Sequence, residues 1–138
     1  MQFAEEFMET GVLPINSRRW RERSMAEQQS ILRTIRRMMG PDEDYEYFDI
    51  DLIIHINAAF SRLCQLGVGP ERPFHITGDQ EIWPDFIDNG YLEEVKQYIY
   101  LSVKQIFDPP ASSTVLNAYK EQLDKLEWLL KEVAQFGY

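Results

Sequence analysis

The 138-residue chain is poor in the residues that carry metal and redox chemistry: it has one cysteine, Cys64, and two histidines, His55 and His75. A lone thiol closes no intrachain disulfide. Cys64 falls inside an apolar helical pattern and reads as a buried, reduced thiol in a protein kept in a reducing compartment. Neither histidine has a Cys or His neighbour at metal-ligand spacing. His55 follows Glu46, Asp49 and Asp51 in mid-helix and reads as structural or solvated. Long apolar runs are missing too. The longest is Tyr98–Leu101, far short of a membrane span, so no membrane association is expected. The start, Met1-Gln2-Phe3-Ala4-Glu5-Glu6, has no basic segment followed by an apolar one, and no secretory signal is expected from it. The seven glycines build no phosphate loop, since Gly67-Val68-Gly69 lacks both a third glycine and a Lys-Ser/Thr pair. No serine lies in a Gly-x-Ser-x-Gly elbow. These gaps predict a protein that is not an enzyme and takes no cofactor and no metal.

Basic residues are also scarce, and they are clustered. Lys and Arg total 14 against 23 Asp and Glu, a formal charge of −9. The whole surface should therefore repel nucleic acid. Yet seven arginines lie between Arg18 and Arg37 against only Glu22 and Glu27, and six carboxylates with no base follow between Asp42 and Asp51. That acidic run superficially looks like a calcium loop. It has Tyr47 where the sharp turn needs glycine and Ile53 where the bidentate glutamate belongs, so it reads as a solvated lead-in to a helix. Arg33, Arg36 and Arg37 fall on the polar face of a helix whose apolar face carries Ile31 and Ile35. Arg18, Arg19, Arg21 and Arg23 flank Trp20 outside any core stripe, a pattern suited to phosphate or to an acidic protein surface.

Apolar content is that of an ordinary globular domain, 44% hydrophobic and 27% charged. One mainly α domain is expected, a four-helix bundle with a short β-hairpin between its second and third helices, preceded by a partly irregular extension over residues 1–24. In that extension Phe3, Phe7 and Met8 recur at helical spacing. Ser24-Met25-Ala26-Glu27 is a capping box that opens a first helix over residues 25–39, with Ile31, Leu32, Ile35, Met38 and Met39 as its stripe and Gly40-Pro41 as its stop. Asp49 is placed to cap a second helix, Ile50 to Leu66. Ile53, Ile56, Phe60, Leu63 and Cys64 line its inner face, Ile54 and Ala58 widen it, and Gly67 sits just past its end. Residues 74–83 read as the hairpin, with Gly78 supplying a positive φ at the turn and Pro84 ending the second strand. Asp88 or Asn89 caps a third helix, Tyr91 to Phe107, with Leu92, Val95, Ile99, Val103 and Ile106 inward. Ser112 or Ser113 caps a fourth, running to Phe136 on Val115, Leu116, Tyr119, Leu123, Leu126, Leu130 and Val133. Ile56, Phe60, Leu63, Val95, Ile99, Val103, Leu123 and Leu126 are expected to pack together.

Three blocks then have a familiar order. Asp51-Leu52-Ile53-Ile54-His55-Ile56-Asn57 runs on to Gln65-Leu66-Gly67-Val68-Gly69-Pro70; Trp83-Pro84-Asp85-Phe86-Ile87 follows. Leu92-Glu93-Glu94-Val95-Lys96-Gln97-Tyr98-Ile99-Tyr100-Leu101-Ser102-Val103-Lys104 leads into Phe107-Asp108-Pro109-Pro110-Ala111-Ser112-Ser113, and Leu126-Glu127-Trp128 closes the series. This order resembles the head–tail connector, or adaptor, family of long-tailed bacteriophages and prophages of Gram-positive bacteria, over roughly Ser30 to Leu130. The Phe-Asp-Pro-Pro-x-Ser-Ser block is its most specific element. The stretches before Ser24 and after Leu130 lie outside it.

The resemblance implies a structural protein of the virion neck, assembled in the host cytoplasm. It implies a ring, usually a dodecamer, beneath the portal protein after DNA packaging, carrying a stopper or tail-completion protein. DNA would pass through the channel without specific binding. On this reading three sets of contact residues are expected. Arg33, Arg36 and Arg37 of one subunit would face Asp42, Glu43 and Asp44 of the next, since opposite charges on one subunit can meet head to tail. Trp128, Phe136 and Tyr138 would reach the portal. His75, Gly78 and Asp79 would form a hairpin contact. The rival class is a small DNA-binding regulator that uses the Arg-rich first helix; it predicts a dominant basic face, which a −9 chain opposes.

Overall fold

Buried leucine, isoleucine and valine at helical spacing set the architecture seen in the computed structural model, which describes residues 29–40, 47–87 and 90–136. Among these residues the elements are α1 (Ile31–Met39), α2 (Asp49–Gln65), α3 (Trp83–Phe86), α4 (Leu92–Phe107) and α5 (Ser113–Phe136). α4 lies at the centre, packed against α2 on one side and α5 on the other, with α1 laid over α2 and α4. Ile56, Phe60, Leu63, Val95, Ile99, Val103, Leu123 and Leu126 are all buried in one cluster, as their spacing predicts.

The start of α1 departs from expectation. Ser30 is extended (φ −64°, ψ 127°) and forms the N-cap, its hydroxyl accepting from Arg33 N, so the helix expected over residues 25–39 does not run unbroken. Ser30 is buried, and its Oγ also donates to the Asp79 carbonyl at 2.9 Å. The Ser24–Glu27 capping box, Pro41, and Asp88 with Asn89 lie outside the described residues.

α2 begins at Asp49 itself, behind Phe48, which makes no side-chain cap. The expected capping role of Asp49 is overridden because its carboxylate is taken by Arg36 in a two-pronged pair, Nε to Oδ1 at 3.1 Å and Nη2 to Oδ2 at 2.6 Å. A charge-assisted fork outweighs a single bond to a backbone N–H. At the other end Gly67 adopts φ +84°, with Val68 N donating to Leu63 O at 2.9 Å and Gly67 N to Cys64 O at 3.0 Å. This is the Schellman ending that the glycine's place in the sequence predicts, and Val68 is buried against it. Cys64 is half-buried.

The β-hairpin is not there. Residues 74–82 form a strap whose backbone groups bond elsewhere, and the only bridge among the described residues joins Ser30 to Ile82. Asn57, on α2, holds Ile76 from both sides: its Oδ1 accepts from Ile76 N at 2.7 Å and its Nδ2 donates to Ile76 O at 3.0 Å. The Glu81 carboxylate accepts from Thr77 N, Thr77 Oγ1 and Gly78 N, while the Glu81 carbonyl accepts from Ile31 N at 3.1 Å. With these groups spoken for, no second strand has anything left to pair. Gly78 does not take a positive φ; Gly67 and Gly69 do. Pro84 does not end a strand but sits in the first turn of α3, where its missing N–H costs nothing.

Phe74, Trp83 and Phe86 fasten the strap. Their rings surround Phe60 of α2 at centroid distances of 5.0, 6.3 and 4.6 Å. Trp83 is buried, and its indole N–H donates to Thr34 Oγ1 at 3.1 Å, while Thr34 Oγ1 donates to the Ser30 carbonyl at 2.6 Å. α4 and α5 match their expected spans to within a residue. Five residues expected inward point out instead: Met38, Ile54, Ala58, Ile106 and Val115. α2 buries Leu52, Ile56, Ala59, Phe60 and Leu63, which turns Ile54 and Ala58 away. α5 buries its first residue only at Leu123, so the last turn of α4 is left without a full cover and Ile106 is exposed.

Candidate functional site

Among the described residues no group of three or more His, Cys, Asp or Glu is arranged to hold a metal ion, and no helix is long and apolar enough to cross a membrane. The functional residues are therefore sought among charged and apolar groups left at the surface.

The arginine face of α1 is largely committed within the chain. Arg33 grips the Asp79 carboxylate, with Nε and Nη2 at 3.1 and 2.8 Å from Oδ2. That guanidinium outweighs partial burial and holds the Asp79 carboxyl below the usual range. Arg36 holds Asp49. Arg37 is exposed. Asp42, Glu43 and Asp44, the expected partners of these arginines in a neighbouring subunit, lie outside the described residues. Of the expected hairpin contact, His75 is exposed, Gly78 is half-buried and Asp79 serves Arg33.

A second polar feature locks α2 and α4 to α5. Glu127 accepts from Tyr98 Oη at 2.6 Å and from Arg62 Nε and Nη2 at 3.2 and 3.3 Å. Burial works to raise the Glu127 carboxyl, but these donors outweigh it and hold it low. Burial first, then the neighbouring Glu127 charge, pushes the Tyr98 hydroxyl up. These bonds tie three helices together, and a small cavity of about 170 Å³ lies beside Tyr98 and Glu127, lined also by Ser102, Lys120 and Asp124.

The apolar surface divides between the two ends of the bundle. At the end where α2 begins and α4 finishes, Tyr47, Ile50 and Ile54 stand out as a ridge, 88%, 75% and 58% exposed. Phe48 stacks edge-on against Phe107 at 5.4 Å beside them, and Ile106 and Val115 add to the same end. At the other end a groove of about 420 Å³ opens between the 67–70 turn and the last turns of α5, lined by Val68, Phe86, Tyr91, Leu130 and Val133. Trp128 is 65% exposed and lies about 160° around α5 from Leu130, so it faces away from this groove. Phe136 is exposed at the end of α5, and Tyr138 lies outside the described residues.

The structure thus places Trp128 and Phe136 on the surface as expected. It pairs Arg33 and Arg36 with carboxylates of the same chain and exposes Ile54, which the sequence assigns to the core. Ile54 was read inward because a helix pattern alone cannot tell a wide buried face from an inner and an outer stripe. The signal that finds it is the pair Ile50 and Ile54, four residues apart and out of phase with Leu52, Ile56 and Phe60.

Comparison with curated proteins and with solved structures returned no significant match. A family model described as "Phage connector protein" matches residues 31–135, which takes in α1 to α5 almost whole, including residues 131–135 that the motif resemblance leaves out. It starts at the first residue of α1 and ends one residue before α5 does, so the family unit and the helical bundle are the same object, and the chain belongs to the phage connector protein family.

Proposed function

We propose that this protein is a head–tail connector that assembles as a ring, expected to be a dodecamer, beneath the portal protein and links the capsid to the stopper or tail-completion protein. The observation that carries the reading is the family match across the whole bundle. The surface chemistry supports it. Apolar side chains stand exposed at both ends of one small subunit, as a piece held between neighbours requires. The net charge of −9 suits a channel wall along which DNA slides without being held. The connector works as a structural protein and not as an enzyme.

Trp128 and Phe136 are the proposed portal contacts, with Tyr138 beyond them in sequence. Aromatic anchors of this kind dominate binding where they become buried. The DNA-binding alternative is weakened by geometry, since Arg33 and Arg36 are engaged by Asp79 and Asp49 of the same chain.

The test is retention of the full chain on immobilised portal protein of the same phage. The connector reading predicts retention, with Trp128→Ala and deletion of residues 135–138 each weakening it while the helical circular dichroism stays intact. Absence of retention of the unaltered chain contradicts the reading.

A further inference from the structure

The first turns of α5 run past the core. The helix begins at Ser113, yet its first buried residue is Leu123, so about 15 Å of helix has nothing packed fully over it. Helices in proteins draw most of their stability from packing an apolar face, and this stretch is short of that support. Val115 is 40% exposed there, and Leu116 and Tyr119 are half-buried. Ile106, in the last turn of α4, is 59% exposed just before the loop that joins the two helices. Phe48 is 43% exposed against Phe107 of that same turn. Together these side chains give the α4–α5 hairpin an apolar tip.

The charge at this tip is balanced inside the subunit. No charged residue occurs from Pro109 to Tyr119. Asp108 is neutralised by Lys104 at 2.7 Å, and Asp49, next to Phe48, by Arg36 at 2.6 Å. Asp51, about 60° around α2 from Phe48, is exposed and bounds the patch on that side. A partner of opposite charge finds little here to recognise. A second copy of a −9 chain, by contrast, is repelled wherever carboxylates face out, and it packs closely only where charge is already compensated. Interfaces between identical subunits are also the more apolar kind.

Resting on the connector reading above, we propose that this tip (Phe48, Ile106, Val115) is where one copy of the chain packs against the next. Val115 lies about 30 Å along α5 from Phe136, a proposed portal contact, so one subunit can hold a neighbour and the portal at once. The contact needs none of the arginines of α1, two of which have partners in their own chain.

The experiment follows sedimentation of the full chain from micromolar to millimolar concentration. Ile106→Asp and Val115→Asp, both at exposed positions, should each weaken self-association at least ten-fold while helical circular dichroism and thermal unfolding stay unchanged. Ser61→Asp, exposed about 20 Å along α2 from Phe48, adds the same charge and should weaken it less than two-fold. Amide exchange of residues 113–119 should slow at least ten-fold between the two concentrations. An unaltered chain that stays monomeric at millimolar concentration overturns the proposal. So do tip variants that associate undiminished, equal weakening by Ser61→Asp, or exchange that slows only elsewhere. The connector reading fails separately: it falls if the unaltered chain is not retained on portal, whereas tip variants that lose self-association but are still retained leave it standing.

Discussion

Thr34 shows how much of this fold hangs on single polar atoms. Its hydroxyl accepts the indole N–H of buried Trp83 and donates to the Ser30 carbonyl, tying α1 to the strap. Thr34→Val keeps the shape and removes the acceptor, leaving a buried N–H without a partner. That should cost about 1–3 kcal/mol in chemical denaturation. Glycines give a sharper contrast. Gly69 has φ +93°, and a Cβ there would stand 2.5 Å from the Phe86 ring, so Gly69→Ala should destabilise by more than about 1 kcal/mol. Gly78 has open space around it and no positive φ, and Gly78→Ala should change stability by less than about 0.5 kcal/mol. The sequence alone singles out the wrong glycine of the two, because Gly78 in Thr-Gly-Asp resembles a hairpin turn while the demand at Gly69 comes from an aromatic ring seventeen residues away.

Titration belongs to the residue scale too. Asp79, Glu81 and Glu127 are all held below their ordinary values: Asp79 by Arg33, Glu81 by bonds from Thr77 and Gly78 that outweigh its burial, and Glu127 by Arg62 and Tyr98 in the same way. Depressed carboxyls lend stability above their unfolded values, and it is lost as pH falls through the folded ones. Tyr98 is shifted the opposite way, by burial and by Glu127, so its contribution is present below its unfolded value near 10 and fades as pH rises beyond it. Thermal unfolding followed across pH should therefore show a plateau between about pH 5 and pH 10 with falls on both sides. Glu127→Gln should reduce the loss at each end, and an unchanged profile for that variant would show that the lock carries no linkage.

Among the elements, the long helices were legible and the strap was not. α4 and α5 declare themselves through stripes such as Val95-Ile99-Val103 and Leu123-Leu126-Leu130, and the helix stops at Gly67 and at Asp108-Pro109-Pro110 are local signals. The strap is decided by Asn57 and Phe60, which lie on another element, and no pattern within residues 74–82 reports that. The same holds for Ile54, which looks like core until the packing of α2 is known. Two substitutions weigh these parts. Phe60→Ala empties the centre of the aromatic cluster and should cost about 3–5 kcal/mol, read as a lowered Tm. Asn57→Ala frees both backbone groups of Ile76, and amide exchange should quicken through residues 74–82 while α4 stays protected.

At the scale of the whole molecule, the described helices leave Ile50, Ile54, Trp128 and Phe136 at the surface and spend the described arginines mostly within the chain. Family membership over residues 31–135 places it among phage connector proteins. The central claim is tested most directly by imaging portal complexes after incubation with the full chain. The connector account predicts a closed ring of identical subunits added beneath the portal on its tail-facing side. Portal complexes that carry no added ring, with the chain left free in solution, would contradict it.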